Sequence, residues 1–341
     1  MGSKKRRFTI CSAVVLGIAV LILIGFAVFQ PQDSQAEETS VSQTRLLMDT
    51  VVDVRVDAPG AADLVGETFT IMAELEHKLS RFMETSDVAR INQYAGSWVE
   101  VSSPTLELVE IAVELGHLTQ GTFDVTIGAV LDLWGFGSDF KRVPTEDELA
   151  EALSTVDFRQ IEIDREGSRV RIPAGTTLDL GGIAKGFIVQ KALQYLREAD
   201  VSRAIVNAGG DISVIGKRPD GNPWRVGVQD PRNPSELRWI VPLEGQSIVT
   251  SGDYQRFFEF EGRRYHHILD PRSGYPAWGI RSVTVIGDDA VVCDAVATAI
   301  FILGWDEGRE FALGLEGMEV IVIGDKGEWF TPGLEGKLIA L

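Results

Sequence analysis

Cysteine is nearly absent from this chain of 341 residues. There are two, Cys11 and Cys293, and Cys11 sits inside an N-terminal apolar run. One remaining thiol can form neither an intramolecular disulfide nor a structural zinc cage. Histidine is scarce too, with only His77, His117, His266 and His267. Basic residues are outnumbered, 32 Lys and Arg against 50 Asp and Glu, giving a formal charge of −18. So acidic a surface disfavours nucleic acid and anionic lipid as partners. It still admits a phosphorylated ligand whose charge is met locally by dipoles or a metal. No internal repeat occurs, and the G-x-x-x-x-G-K-[ST] spacing of a P-loop is missing.

What is present begins at the N-terminus. Lys4, Lys5, Arg6 and Arg7 precede an uncharged run from Phe8 to Phe29. Twenty-two helical residues at about 1.5 Å each reach about 33 Å, the thickness of a bilayer core. The expectation is a cytoplasmic basic segment (1–7) and a single-pass transmembrane anchor (8–29) in the inner membrane, with everything beyond it extracytoplasmic. A cleaved signal peptide is the rival reading, with a faint cleavage pattern at Ser34-Gln35-Ala36. Removing the four basic residues from −18 leaves −22 on the remainder.

Residues 30–44 are polar and read as a flexible spacer. One strand is expected over about 47–56, then a long amphipathic helix over about 61–82 and another over 105–119. Pro144 to Glu148 carries a helix-start signature. The second half mixes strands near 159–164, 168–172, 203–207, 211–216 and 224–229. A hairpin over 257–268, a strand over 281–286, a helix over 290–303 and strands near 318–323 follow. This order of elements argues for an α+β fold in one compact unit, not strict βαβ alternation.

Residues 178–186 read Leu-Asp-Leu-Gly-Gly-Ile-Ala-Lys-Gly. Side chains nearly vanish where a strand ending at Leu180 gives way to a helix beginning near Ile183. Two readings fit: an ordinary tight turn, or an anion cradle in which helix N-terminal amides and Lys185 meet phosphate. Asn207 to Asp211 is a second glycine turn, and Asp211 there reads as a turn cap. Thr250 to Tyr254 precedes the predicted hairpin, and His266 to Pro276 closes it. Neighbours on a strand face opposite ways, so only one of His266 and His267 can enter a given pocket. Both also fit plain solvated strand positions. Asp294 and Thr298, four apart on an apolar helix, stack their oxygens on one face. An acid there reads either as a partner of the helix dipole or as a ligand for a hard cation such as Mg²⁺.

Taken in order, these runs resemble the ApbE family of FAD:protein FMN transferases over roughly residues 45–325. The resemblance implies a single ApbE-like, T-fold-like α+β domain over 45–341, with mixed sheets and packed helices. It implies FAD as substrate, Mg²⁺ as cofactor, release of AMP, and an acceptor hydroxyl on a Thr or Ser of a partner, a flavoprotein subunit of a membrane redox complex. Carried over, the metal falls to the Gly182 carbonyl, Asp294 and Thr298. FAD contacts fall to Met48, Phe82, Thr122, Phe123, Asp124, Asp179, Lys185 and Ile268. The base falls to His267 or Asp270. Three positions depart from the family pattern: Asp49 replaces a common Gly, Phe82 a common Tyr, and Ser273 the usual Thr. Two other functions stay open, FAD hydrolysis to FMN and AMP, and non-catalytic FAD binding.

Overall fold

A computed structural model describes residues 40–341 except 139 and 234. The expected basic segment, the anchor and most of the spacer lie outside the described residues. Within them no helix is long and apolar enough to cross a membrane.

The first element corrects the spacer and the single strand together. Strands β1 (Ser40–Leu47) and β2 (Thr50–Asp57) form an antiparallel hairpin, with Leu47 opposite Thr50. Residues 40–44 look like spacer because β1 is an edge strand with no buried residue. The turn between them holds Met48 and Asp49 at φ 54 and 55. Two left-handed residues make the mirror-image turn that matches strand twist.

Next come α1 (Ala61–Leu79), α2 (Asp87–Gln93), β3 (Val99–Glu100), α3 (Ser103–Leu118), α4 (Gly128–Trp134), α5 (Glu146–Leu153), β4 (Glu162–Asp164), β5 (Arg169–Arg171) and α6 (Ala184–Glu198). Helix α1 stops at Ser80, which turns to extended φ/ψ, so Phe82 sits beyond it in an exposed turn. Helix α5 starts on the predicted capping box, Thr145 with Glu148. The strand expected to end at Leu180 is absent. An Asn92 side chain satisfies both the N–H and the C=O of Leu178, replacing a strand partner.

The second half holds β6 (Ala204–Ala208), β7 (Asp211–Ile215), β8 (Trp224–Gln229), β9 (Leu237–Leu243), β10 (Ser247–Gly252), β11 (Phe257–Phe260), β12 (Arg263–His266), β13 (Ile280–Gly287), α7 (Ala290–Leu313), β14 (Glu319–Gly324), β15 (Gly327–Phe330) and β16 (Ile339–Ala340). Helix α7 breaks at Gly304, whose φ of 80 no helix accommodates, one residue past the expected end.

Eight strands make the main sheet in the order β1-β2-β6-β7-β10-β13-β14-β15. Every registered pair in it is antiparallel. The expected mixed sheet is therefore corrected. Tight turns such as Met48–Asp49 and Gly209–Gly210 can join only antiparallel neighbours, and among the described residues parallel pairing is confined to the bridge Ile127–Thr177. Helices α1, α6 and α7 cover one face, packing Phe69, Phe187 and Val291 with Val52, Val54 and Val56. Beneath α7 lie Val283, Val285, Val320 and Val322. The other face is closed by β8 and β9, where Trp224, Val226 and Val241 meet Val214, Ile248 and Ile321.

Helices α6 and α7 touch at Gly186. A Cβ added there would lie 2.5 Å from the Ala290 carbonyl oxygen and 3.2 Å from the Asp294 Cβ. Backbone does not yield like a flexible side chain, so Gly186→Ala should cost roughly 1–3 kcal/mol. Thermal unfolding checks it, and the expected result is a midpoint several degrees lower.

Candidate active site

One end of the main sheet gathers the turn 48–49, the turn 209–210 and the loop after β10, and the start of α6 and the first half of α7 face it. A buried charge cluster holds them together. Lys185, in the first turn of α6, pairs with Asp211 at the start of β7, Nζ to Oδ2 2.7 Å. Asp294 reaches back from α7 to accept from the Gly186 N–H at 3.3 Å. Asp211 and Asp294 are both buried, at 1% and 5% exposure, so neither is neutralised by water.

The electrostatics follow from that burial. Desolvation raises the Asp294 carboxyl well above its ordinary 3.8, and the neighbouring Asp211 raises it further against the pull of Lys185. Asp211 is raised by burial as well, with Lys185 opposing. Burial disfavours the Lys185 ammonium, but Asp211 and Asp294 outweigh it and hold it above 10.5. Two carboxylates face one ammonium, so the ionised cluster carries one surplus negative charge. The Asp211 Oδ1 is buried with no hydrogen-bond partner. Asp211 is thus a site residue that its sequence context disguised as a turn cap. The spacing of Lys185 and Asp211 alone does not announce their pairing.

The donor set suits a hard cation. Thr298 Oγ1 lies one turn on from Asp294 and 3.3 Å from the Ser251 hydroxyl. A carboxylate, hydroxyls and backbone carbonyls are oxygen ligands of the kind Mg²⁺ takes. Among the described residues no three His, Cys, Asp or Glu side chains cluster to hold a metal, so a cation here would draw on hydroxyls, carbonyls, water and substrate. Gly182 stands two residues before α6, where an added Cβ would lie 3.1 Å from the Phe123 ring. That places the Phe123 ring against its backbone.

The other expected contacts divide into two groups. Asp179 accepts from the Gly181 N–H at 2.7 Å and pairs with Arg81 at 3.1 Å. Arg81, itself buried and also bonded to Asp132, lies 4.9 Å from the Phe82 ring centroid. Phe82 is 59% exposed and free to stack on a ligand. The Met48 N–H is tied to Glu76 at 2.8 Å. By contrast, Asp124 is turned inward. Its oxygens accept from Thr126 and from the Phe158 N–H, so it braces the loop. Thr122 and Ile268 are buried, Ile268 within the core beneath α7.

The two histidines separate as strand alternation predicts. His266 is buried, and Nε2 donates to the Ala277 carbonyl at 2.7 Å while Nδ1 accepts from the Ile268 N–H. Both nitrogens are used, so His266 is structural. His267 is partly exposed, and Nδ1 donates to the Arg256 carbonyl at 3.2 Å. That bond leaves Nε2 unprotonated. Burial, then the Arg256 charge, lower the His267 imidazole to about 3, so it is neutral at physiological pH. Asp270 is not its partner; both carboxylate oxygens bind the Arg272 guanidinium within the same turn.

A model of the ApbE family matches residues 48–322. The chain belongs to the ApbE family. With that membership it is a transferase. An FAD:protein FMN transferase of Treponema pallidum is 34% identical over 330 residues, 90% of each chain. One from Salmonella typhimurium is 29% identical over 348 residues, 98% of this chain and 99% of its own. Among solved structures, the ApbE protein of Thermotoga maritima superposes with a TM-score of 0.83 at 34% identity, covering 87% of this chain and 99% of that one. The Pseudomonas stutzeri flavinyl transferase ApbE gives 0.77 at 31% identity, covering 88% and 96%.

Two outcomes test the electrostatics. Lys185→Met strands a buried carboxylate and should destabilise the protein by about 3 kcal/mol. Adding Asp211→Asn should restore part of that in chemical denaturation. His266 is lowered by burial from 6.5 to about 4. A depressed histidine contributes stability that is present above 6.5 and lost as pH falls toward 4. Denaturation midpoints across that window should therefore drop less steeply in His266→Gln than in wild type.

Proposed function

We propose that this ApbE-family chain transfers FMN from FAD to a Ser or Thr hydroxyl of an acceptor protein and releases AMP, with Mg²⁺ at Asp294, Thr298 and the Gly182 carbonyl. The observation that carries this reading is the Lys185–Asp211–Asp294 cluster. It is a buried oxygen-rich site with two carboxyl groups against one ammonium, set at a helix N-terminus, with a neutral histidine within electrostatic reach of Lys185. The relatives named FAD:protein FMN transferases support the same reaction.

The residues divide the chemistry. Lys185 and the positive end of the α6 dipole would face the diphosphate, supplying fixed positive potential. When bound, Mg²⁺ supplies charge neutralisation on the diphosphate. Phe82 would stack on a ring of FAD, with Arg81 holding Asp179 beside it. The acceptor oxygen forms a new bond to the FMN phosphorus as the bond from that phosphorus to the AMP oxygen breaks. The hydroxyl proton passes to Nε2 of His267, whose Nδ1 bond to the Arg256 carbonyl fixes the accepting tautomer. An anionic diphosphate nearby favours the imidazolium, raising a base that is weak in isolation toward a useful range.

The basic cluster before the 22-residue apolar run supports an inner-membrane anchor with the domain on the extracytoplasmic side. A flavoprotein subunit of a membrane redox complex is the acceptor this placement favours.

The test is incubation of the full chain with FAD, Mg²⁺ and an acceptor bearing the target hydroxyl. Flavin fluorescence that stays on the acceptor through denaturation is the expected result. FMN and AMP formed equally fast without acceptor would favour hydrolysis instead. Asp294→Ala should lower transfer at least about 100-fold, the scale lost with one key electrostatic group, and normal turnover would sink the metal assignment.

A further inference from the structure

The loop between β10 and β11 carries an arginine that the reaction as described leaves unused. Arg256 gives its backbone carbonyl to His267 twice, accepting from the N–H at 3.1 Å and from Nδ1 at 3.2 Å. Its side chain is therefore free of that duty. Among the described residues the guanidinium has one ion-pair partner, Asp49 in the β1–β2 turn, at 3.9 Å. The Asp49 side chain is 86% exposed and that of Arg256 is 52% exposed, so the pair is loose and water-screened. The Arg256 charge also lies close enough to Lys185 and His267 to disfavour protonation of both. An exposed cation thus stands next to the proposed base, within electrostatic reach of the proposed phosphate-binding lysine.

We propose that Arg256 is a substrate-contacting residue that takes the diphosphate of the nucleotide, and that Asp49 competes with the diphosphate for its guanidinium. This rests on the reading of the pocket as an FAD site. A planar guanidinium forks onto two phosphate oxygens at once, which the Lys185 ammonium cannot do. Asp49 holds a left-handed φ of 55 on the opposite rim. Its carboxylate is exposed and reaches the Arg256 guanidinium from the turn. Arrival of two phosphate charges offers Arg256 a better partner than one solvated carboxylate.

The two side chains should then act with opposite sign. Binding of ADP, which has the diphosphate without the flavin, and of FAD is measured by calorimetry on the full chain. Arg256→Ala should weaken both about tenfold, the value of a charge-assisted bond of about 1.4 kcal/mol. Arg256→Gln, with a similar stem and no charge, should do the same, which separates loss of the cation from a packing defect. Asp49→Asn tolerates the left-handed turn and should tighten ADP two- to fivefold. In Asp49→Asn combined with Arg256→Ala that gain should vanish. Wild-type affinity in both Arg256 variants, or an Asp49→Asn gain that survives without Arg256, overturns the proposal. A wild-type chain that binds neither ADP nor FAD overturns the reading of the pocket itself, a distinct result.

Discussion

The approach of α6 to α7 at Gly186 is the constraint on which the site depends. With no side chain at that position the two helices meet backbone to backbone. The contact sets Asp294 against the first turn of α6, where an amide can bond it. It also brings Asp294 within electrostatic reach of Asp211 across Lys185. A methyl group at 186 would part the walls of the pocket before it touched any ligand. The bare Gly-Gly-Ile-Ala-Lys-Gly run thus serves two ends, room for the Phe123 ring beside Gly182 and room for a second helix at Gly186.

Burial turns this geometry into chemistry. In water, Asp211, Asp294 and Lys185 would be three independent ions. Sealed between a sheet end and two helices, they share one charge balance, and that balance lacks a cation. On the function proposed above, a cation would complete that balance and a phosphorylated substrate would follow it. An acidic protein can bind an anion in this way, because the local field is set by a few groups within a low-dielectric pocket and not by the net charge.

Much of this was legible in the residues. Long periodic helices such as α1 and α7 follow from apolar spacing, and the hairpin of β11 and β12 from Glu261-Gly262 between two apolar runs. What escaped notice has physical reasons. Strand β10, buried along nearly its whole length, shows no alternation to read. Strand β9 carries Pro242, which argues against a strand until its pairing with Arg225 is seen. Helix α2 spans only seven residues, too short for a periodic signal. Edge strand β1 hides as a polar linker. For the site, Asp294 and Lys185 stand out from their own surroundings as candidates, while Gly182 as a ligand rests on the family resemblance. The role of Asp211 could not, because a turn cap and a buried counter-ion look alike until the fold brings Lys185 alongside. Alternation says only that one of His266 and His267 can enter a given pocket; the family resemblance points to His267, and hydrogen bonds occupy both ring nitrogens of His266.

The bond from the Gly186 N–H to Asp294 spans 108 positions along the chain. The first hairpin, likewise, completes its sheet only when Val52 finds Ala208. No fragment emerging during synthesis can therefore own a pocket. A chain truncated before residue 294 would lack two of the three oxygens proposed for the metal, whatever else it had folded. Activity is in effect timed by completion of the polypeptide, so a chain still in transit or cut short has no means of consuming flavin nucleotide.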